Sequence, residues 1–100
     1  MPGYELRYLP CAQKDIREAA DFVRLKGRNA EELFFGDFNR AVAQLVDDPQ
    51  NGTVPKDETL EAQGYRMKLI DNYFMFYRVQ AKTVQVYRFI QGFRGLEFLM

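Results

Sequence analysis

The chain has 100 residues, enough for a single domain spanning 1–100 with a modest core. Fourteen basic residues balance fourteen acidic ones, so whole-molecule charge does not draw it to nucleic acid, and any RNA or DNA reading must rest on a local patch. A single cysteine, Cys11, excludes an internal disulfide; with no histidine, a His/Cys metal site and Ser-His or Cys-His catalysis are excluded too.

Met1-Pro2-Gly3 runs straight into a period-2 pattern, so no signal peptide is expected, and no apolar run approaches the length of a membrane span. The expectation is a soluble cytoplasmic protein. Tyr4 to Leu9 alternates Tyr4, Leu6 and Tyr8 against Glu5, Arg7 and Leu9, which predicts a strand stopped by Pro10. From about Ala12 to Leu25 the stripe Ile16, Ala19, Ala20, Phe22, Val23 predicts an amphipathic helix with Lys14, Asp15, Arg17 and Glu18 on its wet side. Gly27 breaks it. Asn29 starts a second helix, with Glu32 as a capping-box partner and a stripe of Leu33, Phe34, Phe38, Ala41, Val42, Leu45 and Val46. Three consecutive apolar residues, Leu33 to Phe35, cannot all face one core, so Phe35 is expected toward solvent or a partner. Asp47 to Gly52 ends the helix, and Asp47 and Asp48 read as a surface turn rather than a metal or acid pair.

Thr53 to Gln63 is polar and reads as a loop or a short irregular strand. Three strands follow. In the first, Tyr65, Met67 and Leu69 oppose Arg66, Lys68 and Ile70, and Asp71-Asn72 suits a type I′ turn. In the second, Met75, Tyr77 and Val79 oppose Phe74, Phe76 and Arg78; in the third, Val84, Val86, Arg88 and Ile90 oppose Thr83, Gln85, Tyr87 and Phe89. Gly92 and Gly95 bracket Phe93-Arg94 ahead of an apolar tail. The order β-α-α-β-β-β predicts an α+β domain: an antiparallel sheet meander with an N-terminal strand and a two-helix hairpin packed on one face. Arg66, Lys68 and Arg78 are expected on the other, partly open face, with Arg94 closing the same surface.

Cations interleaved with Phe74, Phe76 and Tyr87 suit a nucleic-acid strand, with the charges on phosphates and the rings on bases. Without histidine, cleavage would proceed by positioning and electrostatic stabilisation of the developing charge. The same alternation also suits a solvated outer face with scattered charges. Cys11 beside a helix start reads as an inert small residue.

Together the opening strand YELRYLPCAQKDI, the helix hairpin, Leu45 to Pro49, and GYRMKLIDNYFMFYRV followed by VQVYRFIQGFRG resemble the RelE/ParE superfamily, the plasmid stabilisation toxins of bacterial type II toxin–antitoxin systems. The carrying features are Tyr73-x-x-x-Tyr77-Arg78-Val79, the basic pair Arg66 and Lys68 on the preceding strand, and the closing Gly92-Phe93-Arg94. The resemblance implies a cytoplasmic toxin neutralised by a cognate antitoxin wrapping its surface; from the apolar residues expected to be exposed, that antitoxin should add a helix or strand across the sheet and helix hairpin, covering Phe35 or the tail near Phe98. It implies no cofactor and no metal. RelE-like members cleave mRNA on the ribosome; ParE-like members inhibit DNA gyrase and are not nucleases. By position Arg66, Lys68 and Arg94 match the catalytic cations of the nucleases, with Arg78, Phe74 and Tyr87 as substrate-binding candidates. Phe74 stands where those nucleases carry an arginine, and the tail lacks their tyrosine. Ribosome-dependent mRNA cleavage is the expectation placed first, with a ParE-type gyrase inhibitor and a non-toxic binding module of the same fold as alternatives.

Overall fold

The computed structural model describes residues 3–91. Arg94, its flanking Gly92 and Gly95, and the tail with Phe98 lie outside the described residues. The elements are β1 (Glu5–Tyr8), α1 (Pro10–Arg24), α2 (Arg28–Asp47), a 3₁₀ turn (Pro49–Asn51), α3 (Glu58–Ala62), β2 (Arg66–Ile70), β3 (Tyr73–Gln80) and β4 (Thr83–Gln91). The strands form one sheet in the order β1-β4-β3-β2. The three C-terminal strands make the expected antiparallel meander, but β1 lies parallel to β4, with Glu5 opposite Thr83 and Tyr8 opposite Val86, so the sheet is mixed. Alternation marks a strand without giving the direction of its neighbour.

Helix α1 begins earlier than the apolar stripe suggests, because Pro10 occupies its first turn, where a missing N–H costs nothing. Gly27, at φ 113°, is the residue before α2, a conformation that glycine adopts without a Cβ clash. The predicted capping box of Asn29 and Glu32 does not form: α2 starts at Arg28 with no side-chain cap. Its aromatic face centres on Phe34, 2% exposed, whose ring contacts those of Phe35, Phe38, Tyr73 and Phe89 at 5.4–6.2 Å. The assignment of Phe35 to solvent is corrected. Phe35 packs against the core, and Leu33 turns outward at 65% exposure. On α1, Phe22 likewise lies outside the core at 45% exposure. Ala19 and Val23 carry the contact instead, since small residues let the helix approach the sheet closely.

The helices cover one sheet face, burying Ile70, Tyr73, Met75, Tyr77, Val84, Val86 and Phe89. Val84, Val86 and Phe89 cannot share a face by simple alternation. The register shifts between Phe76 and Tyr77, Phe76 facing Arg88 and Tyr77 facing Val86, so Tyr87 is an extra residue on β4. This bulge turns Phe89 inward and Arg88 outward, reversing the expected facing of that strand's second half relative to its first. At the hairpin tips only Asp71 (φ 58°) and Ala81 (φ 55°) are left-handed among non-glycine residues described; Asn72 is not, so the first turn is not type I′.

The segment read as a loop contains α3. Asp57 caps it, its Oδ1 accepting from the Leu60 N–H at 3.0 Å. The sequence signal was present, an aspartate followed by Glu58 and Glu61, but five residues are too few to show periodicity.

Candidate functional site

The sheet separates the candidate residues into two groups. Side chains of directly opposed residues on antiparallel strands share a face. Arg66 opposes Tyr77 and Lys68 opposes Met75, and both partners are fully buried beneath the helices. Arg66 and Lys68 therefore lie on the helix side of the edge strand, not on the open face where the sequence reading put them. Their parity was read correctly; which face the helices cover was not.

On that side they staple one loop. Arg66 donates from Nη1 to the Gly52 carbonyl at 3.3 Å and from Nη2 to Gln50 Oε1 at 3.1 Å. Lys68 Nζ donates to Asn51 Oδ1. Beneath them the buried Tyr77 hydroxyl donates to the Pro49 carbonyl at 2.6 Å and accepts from the Gly52 N–H at 3.1 Å. Burial pushes the Tyr77 hydroxyl pKa up, while its bond to the Gly52 backbone and the nearby Arg66 charge pull the other way. Thr53 adds a backbone pair with Met67, its N–H donating at 2.7 Å and its carbonyl accepting at 2.8 Å. Gly52 has no space for a side chain: a Cβ there would lie 2.2 Å from the Tyr77 hydroxyl and 2.7 Å from the Met67 carbonyl. The acceptors of both cations are neutral amide oxygens, and among the described residues neither Arg66 nor Lys68 forms an ion pair.

The open face holds the other group. Arg78 lies 5.1 Å from the Tyr65 ring centroid and 5.9 Å from that of Tyr87, and the two rings meet edge-on at 5.2 Å. The Tyr87 hydroxyl donates to Gln85 Oε1 at 3.1 Å. Beside them is a groove of about 520 Å³, with Phe76 and Tyr87 on the sheet, Leu9 and Pro10 at the β1–α1 junction and Leu60 on α3. The exposed Cys11 lies on its lining as well. Phe74 shares this face but sits toward the other end, opposite Leu69 and Ile90, and does not line the groove. Of the substrate-binding candidates, then, Arg78 and Tyr87 come together and Phe74 stands apart.

Sequence reasoning missed the anchor of this end. Asp15, assigned to the wet side of α1, accepts from Arg88 Nε at 2.7 Å and Nη2 at 3.2 Å, and from the Phe89 N–H at 3.0 Å. Its side chain is 12% exposed. The Asp15 carboxylate raises the Arg88 pKa further and ties α1 to the bulged part of β4. Only the bulge makes Arg88 available for this, which alternation alone does not reveal. Among the described residues no cluster of His, Cys, Asp and Glu has metal-binding geometry, and no helix is long and apolar enough to cross a membrane.

This arrangement of a helix hairpin over a mixed four-stranded sheet is the fold of the RelE/ParE toxins. A solved structure described as the chromosomal ParDE TA system from P. aeruginosa matches it with a TM-score of 0.67, covering 89% of this chain and 96% of that one at 21% identity. At that identity the likeness establishes the fold. Residues 6–94 match the family model for the ParE toxin of the type II toxin-antitoxin system, parDE, and the chain belongs to that family. A comparison with curated proteins finds no significant match.

Proposed function

We propose that this chain is the toxin of a type II pair, neutralised by a cognate antitoxin, and that it acts by binding DNA gyrase as ParE-type toxins do rather than by cleaving mRNA. One observation carries the reading: Arg66 and Lys68, the cations that match the nuclease positions, are occupied with Gln50, Asn51 and Gly52 on the helix side of the sheet, whereas Arg78 and Tyr87 are on the other side. Stabilising one phosphoryl transition state requires donors aimed at the same developing charge. Cations committed to a loop, with a sheet between them and the aromatic face, do not converge on one phosphate. Phe74 in place of an arginine on that strand agrees with this. No cofactor is needed by a binding toxin.

The test is purified toxin added in parallel to gyrase supercoiling and to ribosomes programmed with mRNA. Loss of supercoiling with intact mRNA is the expected result. Cleaved mRNA with normal supercoiling would restore the nuclease reading, and overexpression without growth arrest would point to a non-toxic binding module.

A further inference from the structure

We propose that the groove on the open sheet face is the surface that seats the toxin's target, and that it takes a protein segment carrying an apolar side chain next to a carboxylate. This rests on the reading of the chain as a toxin that acts by binding, and adds the surface and its recognition chemistry.

The groove's volume of about 520 Å³ and its lining by Leu9, Pro10, Leu60, Phe76 and Tyr87 favour an apolar side chain. Arg88, on its lining, and Arg78, over the lining rings of Tyr65 and Tyr87, are not equivalent. Arg88 is held bidentate by Asp15. Arg78 forms no ion pair among the described residues and rests over Tyr65 and Tyr87 at the groove's edge. One guanidinium without an ion partner among the described residues, beside an apolar groove, complements one carboxylate beside an apolar side chain, a bidentate match that a guanidinium makes well. It complements a nucleic-acid strand poorly. A row of phosphates calls for several free cations, and stacked bases call for exposed ring faces. Here Arg66 and Lys68 are on the opposite face, and Phe76 is 2% exposed.

The experiment expresses the full chain as wild type, Arg78→Glu, Leu60→Glu and, as a control far from the groove, Arg28→Glu. Readouts are the inducer level that halves growth, supercoiling by purified gyrase, antitoxin co-purification and thermal melting. Arg78→Glu and Leu60→Glu are each expected to lose potency by about tenfold or more, with melting close to wild type and the control unaffected. Leu60 is half-buried on a five-residue helix, and Arg78→Glu leaves apolar packing intact, so at least one folded variant remains available. Folded variants that arrest growth like wild type overturn the proposal. So does loss of antitoxin binding with toxicity retained, which would make the antitoxin the occupant. A photoreactive phenylalanine at Tyr87 that crosslinks to RNA in arrested cells overturns it in favour of a nucleic acid. If the variants lose growth arrest while wild type leaves supercoiling untouched, the groove stands and the gyrase reading falls. If all inhibit supercoiling equally, gyrase stands and the groove falls. A wild type without growth effect overturns both.

Discussion

Arg66 opposes Tyr77 across the sheet, and Arg78 is the next residue along β3, yet the two arginines live in different environments. On the helix side, Arg66, Lys68 and Tyr77 hold residues Pro49 to Gly52 through a set of mutually supporting hydrogen bonds. On the open side, Arg78 contacts only aromatic rings among the interactions described for it, next to an apolar groove. One step in register moves a cation from a structural staple to a recognition surface. Residue type and local spacing are the same in both places; the helix layer makes the difference. Changes on the stapled side should therefore cost stability, and changes on the open side should cost activity.

The largest effect is expected from Gly52→Ala. Its Cβ would overlap the Tyr77 hydroxyl and the Met67 carbonyl, so backbone must move, at ~3 kcal/mol or somewhat more, measured by urea unfolding. A variant as stable as wild type would show that the loop is not clamped.

Tyr77→Phe comes next. It leaves the Pro49 carbonyl and the Gly52 N–H without their partner, costing about 1–3 kcal/mol. It also carries a pH signature. Burial raises the Tyr77 pKa above the usual value of 10.0, and Tyr8 and Tyr73 are raised by burial as well. Above that value the unfolded chain releases tyrosine protons that the folded one still holds, so stability is intact below pH 10 and falls as pH rises beyond it through the raised values. The phenylalanine variant should show a shallower alkaline decline, read from melting temperatures across that range.

Arg66→Ala should cost less, about 0.5–1.5 kcal/mol, because its acceptors are neutral and partly exposed. It should leave growth arrest in place at matched soluble protein levels; abolished toxicity in a folded variant would return Arg66 to the catalytic role. The smallest change in stability is expected for Arg78→Ala, within about 1 kcal/mol since only its contacts with two half-buried rings are lost. Growth arrest should nevertheless weaken, which separates the two sides most sharply.

Much of this molecule was legible in order and type. Alternation located all four strands, and helical stripes located α1 and α2, because each must present one apolar face. The pairing of Arg66 with Lys68 and of Phe76 with Arg78 on their respective faces was legible for the same reason. Short elements were harder. A five-residue α3 gives no full period, and the bulge at Tyr87 is a local count of residues that only the neighbouring strand reveals.

The sequence by itself determined the α+β class, the order of the four strands and of α1 and α2, and which side chains share a face wherever a strand runs without a bulge, since these follow from periods of 2 and 3.6 residues along one segment. It could not say which face the helices would cover, that β1 would pair parallel to β4, or that Asp15 would reach Arg88 across 73 positions. Those depend on contacts between residues far apart in the chain, whose geometry is set only when the layers pack. The tertiary structure thus decided that Arg66 and Lys68 hold a loop while Arg78 stands at the groove.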